Sequence, residues 1–483
     1  MSEAITQLVT TAAHVFNEGF RLPNEGAGKR ASIYISPIDA VAPLTVPEAR
    51  RLLYSKALNA LLTEMGYEVQ CHSLFADYEQ PVKSLTVSIW LRYLELCGEN
   101  LAYPEDCYQG DYIFDFAATV HRTYSNLWHV AAKDVEELLS QVHSCADLYP
   151  QIQEWLGDEA VLTIRQIGVH GISGDIRSDL QEISVDFESW PRASALLRAG
   201  IATEAMNRFE AIGLHNDNGY RDIKLSEKRT LMMENQAGLT PLAIQLSHFL
   251  SLLDKEGADS DLNIVIYDID ESETVKQLLH GIQLLGYPVA SFIEKPMSSP
   301  QLLEMGEIVH TSPLAEDFVS FREVRQTMGL TNVQWLFAIH KSNVSVQIDL
   351  SKEHADVIIQ QCRGVAEDSS HQNIIGDLTQ CTNALDELTP SQRKQAESIL
   401  QIISEFQDVA RQTRQYLEPA LLVNYYRNLC ESFLSYYNNH ELISPINEQH
   451  DIQWANTDEW IAAIMTSTLT RLRILTDSMV SSQ

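Results

Sequence analysis

Two kinds of hydrophobic pattern alternate along the first two thirds of the chain. Short β-branched runs occupy residues 32–37, 67–71 and 262–271, and stretches with apolar residues at helical spacing occupy 47–65 and 272–285. The run at 262–271 is almost continuously apolar, which is typical of a strand buried on both faces of a parallel sheet. Because parallel strands need a crossover connection, usually a helix, this alternation predicts an α/β domain.

The first of these helices has clear signals at both ends. Pro47 suits the first helical position because no backbone N–H is required there, and Gly66 follows the last apolar turn, where a helix is expected to stop. A first strand that turns into a helix facing the sheet edge is how nucleotide-binding α/β folds begin. Ser272 is predicted to be the N-cap of the later helix.

From residue 328 onward, the pattern predicts helix throughout. Pro390 stands at a first helical position, an apolar stripe runs through residues 399–410, and a closing helix is predicted at 460–479. The chain is therefore predicted to contain a short amphipathic N-terminal segment (1–29), a Rossmann-type α/β domain (30–327) and an all-α bundle (328–483).

The run Pro43-Leu44-Thr45-Val46-Pro47-Glu48-Ala49-Arg50 opens the first helix. It resembles the first signature of class I arginyl-tRNA synthetases, Pro-Leu-His-x-Gly-His-x-Arg, whose helix N-terminus and two histidines hold the ATP phosphates. Here Thr45 and Glu48 replace the histidines, and Pro47 replaces the glycine. Since Pro47 lacks an N–H and Glu48 brings a carboxylate, the chain's own anion is expected where the family binds phosphate.

Two further segments carry the same resemblance. Residues 103–113, Tyr-Pro-Glu-Asp-Cys-Tyr-Gln-Gly-Asp-Tyr-Ile, resemble a loop of these synthetases in which a glycine stands in place of Cys107. The aromatic-rich segment at 416–439 resembles their DALR-type anticodon-binding bundle. The resemblance covers about residues 30–480 in the family's order, and it implies a synthetase-like fold for both domains.

The substrate pocket that the resemblance implies has also changed. In the family, a tyrosine and an aspartate on one helix hold the substrate arginine, and an ungapped alignment places Ala243 and Ser247 there. A guanidinium pocket needs a carboxylate, and residues 238–253 contain no Asp or Glu.

Carboxylates are instead concentrated at the end of the strand predicted at 262–271. Asp268, Asp270 and Glu271 stand where the family has Gly-Ala-Asp-Gln, so Asp270 is the retained candidate for a substrate contact.

The second signature of class I enzymes, a basic loop, should correspond to residues 306–313. No Lys or Arg occurs from residue 296 to 321. Because that loop neutralises charge on the transferring phosphates, its function needs fixed cations. His310 alone cannot supply them at neutral pH and is interpreted as a surface histidine.

The composition gives the net charge of the chain and indicates the compartment in which it works. The formal net charge is −32, which weakens the case for a nucleic-acid binder and favours a basic protein partner. The seven cysteines are scattered without a Cys-x-x-Cys pair, which predicts reduced thiols, no metal site and a cytoplasmic location. No apolar run is long enough to span a bilayer, and the start of the chain lacks a secretory pattern.

The C-terminal bundle is itself acidic. Between residues 367 and 477 there are sixteen Asp and Glu. The candidate tRNA-binding residues are Arg411, Arg414, Arg427, Arg471 and Arg473. An aromatic series (Tyr425, Tyr426, Phe433, Tyr436, Tyr437) could stack bases, but its helical spacing favours a place in the core.

The sequence therefore predicts a catalytically inactive arginyl-tRNA synthetase paralogue, without a cofactor, that serves as a tRNA-binding or protein-assembly subunit. Binding of tRNA by the chain alone is expected to be weak. The alternative is a repurposed enzyme whose acidic cleft, with Glu48, Asp268, Asp270, Glu271 and His310, takes an amine or an oxygen-ligated metal. A third hypothesis is a scaffold that docks a basic partner.

Overall fold

The computed structural model describes most of the chain. It covers residues 3–18, 20–139, 144–213, 215–217, 220–226, 229–235, 238–256, 260–289, 292–352 and 389–439, with 468–469, 472–473 and 476–480 from the C-terminal part.

A parallel sheet forms the centre of the N-terminal domain. In chain order, the described strands are β1 (Arg30–Ile35), β2 (Ile38–Asp39), β3 (Glu68–His72), β4 (Phe75–Ala76), β5 (His215–Asp217), β6 (Tyr220–Ser226), β7 (Arg229–Asn235), β8 (Gly238–Leu239), β9 (Leu262–Asp268), β10 (Phe292–Met297), β11 (Gln301–Glu304), β12 (Glu307–Val309) and β13 (Gln347–Asp349). The central sheet has the order β10-β9-β1-β3, and each neighbouring pair is parallel. Ile33 pairs with both Cys71 and Ile264, at the buried centre of the sheet.

Helices surround this sheet and then form the C-terminal part. They are α1 (Glu3–Glu18), α2 (Val46–Glu64), α3 (Glu79–Leu96), α4 (Asp111–Tyr124), α5 (Ala132–Leu139), α6 (Tyr149–Leu156), α7 (Asp158–Glu182), α8 (Ala193–Arg198), α9 (Ile201–Glu210), α10 (Pro241–Glu256), α11 (Ser272–Leu284), α12 (Phe321–Met328), α13 (Leu330–Ala338), α14 (Pro390–Ser404), α15 (Phe406–Tyr416) and α16 (Ala420–Asn439). The predicted α/β domain followed by a helical bundle is confirmed.

The four parallel strands end along one edge of the sheet. Their last residues are Ile35, His72, Asp268 and Met297. Side chains that follow these strands therefore meet at one edge, where α/β proteins place their ligands.

One strand contradicts the prediction of helix throughout the C-terminal third. β13 pairs in parallel with β11, and Leu302 lies opposite Ile348. The prediction was wrong because β13 has only three residues, too few for a period, and its partner lies more than forty positions earlier in the chain.

The prediction that Ser272 is an N-cap is also wrong. A 3₁₀ turn, Ile269–Glu271, precedes α11, and Ser272 is the first residue of the helix. Asp268 caps the turn instead, because its carboxylate accepts a hydrogen bond from Asp270 N at 3.2 Å.

The cysteines likewise differ from the prediction of reduced thiols. Cys107 and Cys145 form a disulfide, with their Cα atoms 5.4 Å apart. Cys71, Cys97 and Cys430 are free thiols. The sequence could not show this pairing because the two cysteines stand 38 positions apart without a spacing that signals a pair, and tertiary packing against α3 brings the two segments together.

The C-terminal helices pack on the N-terminal helix and on one another. α1 lies against α14, and α16 packs on α14 and α15. Tyr425 and Tyr426 are buried, as the helical spacing predicted. The side chains of Phe433, Tyr436 and Tyr437, and all of Arg471, lie outside the described residues.

Arg50 on α2 ties the α/β domain to the segments that lead into the helical part. Its guanidinium is buried and donates to the carbonyl oxygens of Ser298, Lys341 and Val344, at 3.0 Å for Lys341 and 2.6 Å for Val344. Burial lowers the pKa of Arg50 to about 10, partly offset by the nearby charge of Glu418, so the side chain stays cationic at neutral pH.

The first testable prediction concerns this arginine. Arg50→Lys leaves at least one of the three carbonyl oxygens without its present donor, because a lysine cannot reproduce the planar fork of the guanidinium. We expect a loss of about 2 kcal/mol in the free energy of unfolding, measured by denaturant titration. Arg122→Lys, at an exposed arginine on α4, is the matched control and should change stability by less than about 0.5 kcal/mol. Equal effects of the two changes would contradict this role of Arg50.

Candidate functional site

The N-terminus of α2 is closed by the chain's own side chains. Thr45 is the N-cap, and its hydroxyl oxygen accepts a hydrogen bond from Glu48 N at 3.3 Å. The Glu48 carboxylate accepts hydrogen bonds from Thr45 N at 2.8 Å, Thr45 Oγ1 at 2.7 Å and Asp39 N at 3.0 Å. This arrangement is a capping box, in which the side chains of Thr45 and Glu48 each accept a hydrogen bond from the backbone N–H of the other residue.

An anion approaching α2 therefore finds few free donors. Helix N-termini bind phosphate through backbone N–H groups that nothing else satisfies. Here the N–H groups of Thr45 and Glu48 are already bonded, and Pro47 has none. Glu48 is 6% exposed, so its negative charge is held inside the site and does not swing into solvent.

Asp39 joins Glu48 at the same edge. Asp39 is exposed on one side, but protein surrounds its carboxyl group on the other sides. This enclosure, together with the negative charges of Glu48 and Glu271, raises the pKa of Asp39 to about 7, against the opposing effect of Arg51. The cleft therefore contains a carboxyl group that is poised to exchange a proton near neutral pH.

Arg51 and Asp268 form a buried ion pair beside these carboxylates. Arg51 Nη1 lies 3.6 Å from Asp268 Oδ2, and both side chains are largely shielded from solvent. The hydroxyl of Ser299 also donates to Asp268. The Arg51 charge is thus shared with Asp268 and does not offer an unpaired cation to a phosphate.

The other two predicted carboxylates take different positions. Glu271 accepts a hydrogen bond from Asp268 N at 3.0 Å and acts on Asp39 through its charge. Asp270 is exposed on the 3₁₀ turn. The structure therefore brings Glu48, Asp268 and Glu271 together at the strand ends, with Asp270 at the rim.

Ala243 and Ser247 do not face a cleft. Both are buried on α10, and Ser247 Oγ donates to Ala243 O at 2.6 Å. Neither residue supplies a charge that could hold a guanidinium.

His310 lies apart on the surface. It follows β12, its side chain is 61% exposed, and its Nδ1 is 2.8 Å from Asp317 Oδ1. The segment that corresponds to the basic loop forms the β11–β12 hairpin, which turns at Met305 and Gly306 with positive φ angles. The histidine therefore pairs with a carboxylate of its own segment, as a surface residue does.

The candidate tRNA-binding arginines are engaged by carboxylates. Arg411 lies 2.9 Å from Asp408, Arg414 lies 2.6 Å from Glu25, and Arg427 lies 3.5 Å from Glu431. Arg473 is half-buried. Each of the three described pairs must be disrupted or shared before the arginine can neutralise a phosphate.

Asp39 is the functional candidate that sequence reasoning missed. It follows β1 by four residues, at the edge where the other carboxylates lie. That position after a parallel strand was the available signal.

No group of three or more His, Cys, Asp or Glu in the described ranges is arranged to hold a metal ion. Likewise, no helix in the described part of the chain is long and apolar enough to cross a membrane.

The raised pKa of Asp39 predicts a pH-dependent stability effect. Between the ordinary pKa of 3.8 and about 7, the unfolded chain loses the Asp39 proton while the folded chain keeps it. Folding is therefore penalised increasingly as the pH rises through this window, and the penalty is constant above it. Asp39→Asn should raise the melting temperature at pH 8 and raise it progressively less as the pH falls toward 4.

Asp270→Asn, at the exposed rim of the same edge, is the matched control and should show no such trend. A melting-temperature difference for Asp39→Asn that does not vary with pH would contradict the enclosure of this carboxyl.

The chain is similar in sequence to known arginine–tRNA ligases. A family model described as "DALR anticodon binding domain" matches residues 369–455, of which the structure describes 389–439. The chain is 25% identical over 450 residues to the arginine–tRNA ligase of Thioalkalivibrio sulfidiphilus, covering 86% of this chain and 74% of that protein. It is 25% identical over 460 residues to the arginine–tRNA ligase of Hydrogenovibrio crunogenus, covering 88% and 76%.

Solved structures give the same result at the level of the fold. The arginyl-tRNA synthetase of Thermus thermophilus superposes with a TM-score of 0.65 at 14% identity, over 97% of this chain and 84% of that one. The Rossmann-like α/β domain followed by a helical DALR-type domain is therefore a synthetase fold. In sequence and in fold, the chain is therefore similar to arginyl-tRNA synthetases, and its residues 369–455 match a DALR anticodon-binding domain.

Proposed function

We propose that this chain is a catalytically inactive, arginyl-tRNA synthetase-like protein that acts as a tRNA-binding or protein-assembly subunit. The observation that carries the proposal is the Glu48 carboxylate, which bonds to Thr45 N and Asp39 N at the start of α2. A nucleotide phosphate at this helix terminus would have to displace a buried, doubly bonded carboxylate of the same sign.

The electrostatics of the cleft support the same conclusion. The negative charges of Glu48 and Glu271 act on Asp39, and the nearby Arg51 is paired with Asp268. Like charges at short range oppose each other by kilocalories per mole wherever the site is shielded from water. Residues 296–321 contain no Lys or Arg that could stabilise charge on a transferring phosphate.

An adaptor role fits the C-terminal part. The described arginines that could contact tRNA are paired with carboxylates, and the net charge of the whole chain is −32. Binding of tRNA by the chain alone is therefore weak, and a basic partner protein completes the surface.

A second candidate function rests on Asp39. A carboxyl with a pKa of about 7 is matched to general acid–base chemistry at neutral pH, and the acidic cleft would attract an amine. In this alternative, the fold serves an enzyme that acts on a different small molecule. Asp39→Asn distinguishes the two functions, because it removes any such activity and leaves an assembly role intact.

The prediction from the closed helix terminus is that the chain does not activate arginine. Pyrophosphate exchange that depends on ATP, arginine and tRNA should equal the no-enzyme background, and titration calorimetry should show no saturable binding of Mg-ATP at micromolar concentration. An active arginyl-tRNA synthetase assayed in parallel is the positive control. Exchange above background would overturn the proposal.

Restoring the signature residues tests whether their replacement alone accounts for the expected inactivity. Thr45→His with Pro47→Gly and Glu48→His should remain inactive, because α10 offers no carboxylate to the guanidinium and catalytic groups that act as a set cannot be repaired singly. Aminoacylation by this triple variant would show that the arginine pocket is intact.

The prediction for nucleic acid concerns the paired arginines. At physiological salt, the chain alone should bind tRNA with a dissociation constant on the order of 10⁻⁵ M or weaker, measured by fluorescence anisotropy. Arg411→Gln with Arg427→Gln should weaken this binding and reduce the log–log salt slope by roughly two, because each phosphate contact contributes about one.

Arg122→Gln with Arg198→Gln, at exposed arginines of the α/β domain, is the matched control and should leave the binding unchanged. Salt-resistant, nanomolar binding of one tRNA by the chain alone would contradict the adaptor role.

A further inference from the structure

The β11–β12 hairpin carries two apolar side chains that stand in solvent. Met305, at the turn, is 87% exposed, and Ile308, on β12, is 61% exposed. Leu302 and Val309 form the pair after Ile308, and their side chains point to the opposite face, where Leu302 is buried. Met305 N donates to Ser351 Oγ at 3.3 Å and thereby anchors the turn to the protein. Neighbouring exposed apolar residues of this kind are typical of an interaction surface.

β12 is also an open edge of its sheet, which has the order β12-β11-β13 in the described residues. Leu303 lies opposite Ile308, and its carbonyl oxygen accepts a hydrogen bond from Leu350 N at 2.8 Å, on the β13 side. Because the backbone groups of a strand alternate between its two neighbours, Leu303 and Ile308 do not bond to each other. The N–H and C=O of Ile308 therefore point toward the open edge. The free edge is short, because His310 O already accepts a hydrogen bond from Val319 N at 3.0 Å.

Two glutamates stand beside this edge. Glu304 and Glu307 lie directly opposite each other across the hairpin, and both are exposed. Like charges in this arrangement destabilise a strand pair. Neither glutamate forms an ion pair within the described part of the chain, and residues 296–321 contain no Lys or Arg. A cation supplied by another molecule would relieve the repulsion.

We propose that the edge of β12 is a docking site for a short, extended segment of a basic partner protein. The segment pairs antiparallel with β12, because an antiparallel partner can exchange both hydrogen bonds with the single free residue Ile308. Side chains that lie opposite each other on neighbouring strands share a face. The residue opposite Ile308 is therefore apolar, the residue opposite Glu307 is basic, and the segment alternates basic and apolar side chains.

Such docking rests on the assembly role proposed above and gives that role a surface on the α/β domain. It does not depend on the state of the cleft at α2. A second copy of this chain suits the edge less well than a basic partner, because each copy carries a net charge of −32.

The probe is the blocked peptide acetyl-Lys-Val-Lys-Ile-Lys-Val-Lys-amide, mixed with the full chain. At low salt it should bind with a dissociation constant on the order of 10⁻⁴ M, measured by fluorescence anisotropy. The matched control peptide carries a methyl group on the backbone nitrogen of its central isoleucine. Its charge and side chains are unchanged, but it cannot donate to Ile308 O, so it should bind at least about tenfold more weakly.

Hydrogen exchange followed by mass spectrometry locates the bound peptide. The Ile308 N–H points to solvent in the chain alone, so a saturating concentration of the peptide should slow exchange in residues 305–309 by at least about tenfold. This measurement needs no variant, so it remains decisive if a substitution disturbs the hairpin.

Glu304→Gln with Glu307→Gln removes both charges from the hairpin. It should weaken binding of the peptide by about fivefold, because exposed charge pairs are individually weak, and should raise the melting temperature of the chain alone. Glu136→Gln with Glu204→Gln, at exposed glutamates of α5 and α9, makes the same change of charge elsewhere and should leave binding unchanged.

The docking site is overturned if the peptide does not bind, if the methylated peptide binds as tightly, if residues 305–309 gain no protection, or if the two pairs of glutamine variants behave alike. Protection of these residues that rises with the concentration of the chain alone would show a second copy at the edge and would also overturn it. The proposed function fails separately, through pyrophosphate exchange above background or tight binding of one tRNA.

Discussion

The contact between the Glu48 carboxylate and the backbone N–H groups of Thr45 and Asp39 determines the chemistry of this cleft. A carboxylate at a helix N-terminus is stabilised by the unsatisfied N–H groups and by the helix dipole. The same groups are the ones that would otherwise receive a phosphate. One residue therefore strengthens the fold and occupies N–H groups that could otherwise bind an anion. Burial of the Asp39 carboxyl, together with the negative charge of Glu48 beside it, raises the pKa of Asp39.

Residues of α2 also connect the α/β domain to later segments of the chain. Arg50 lies two residues after Glu48 and donates hydrogen bonds to the carbonyl oxygens of Ser298, Lys341 and Val344. On the same helix, Tyr54 donates to Leu417 O at 2.7 Å. These contacts are made by residues other than Thr45, Pro47 and Glu48, so they do not depend on the residues at the start of the helix.

Local features could be predicted from the sequence because local rules decide them. The apolar run at 262–271 predicted β9, which ends at Asp268, and Pro47 with Gly66 predicted the limits of α2 to within one or two residues. Glu48 was predicted as the anion of the first turn because capping acts over three residues. Asp39, the Cys107–Cys145 disulfide and β13 were missed or mistaken, since each depends on groups that are distant in sequence or on enclosure by several segments.

The functional conclusion depends most on whether Glu48 keeps its place when nucleotide is offered. The most direct measurement is a crystal structure of the chain grown with saturating Mg-ATP. The account predicts that the Glu48 carboxylate remains within hydrogen-bond distance of Thr45 N and Asp39 N, with no phosphate at the start of α2. A structure in which Glu48 has turned away and a phosphate accepts those hydrogen bonds would contradict it.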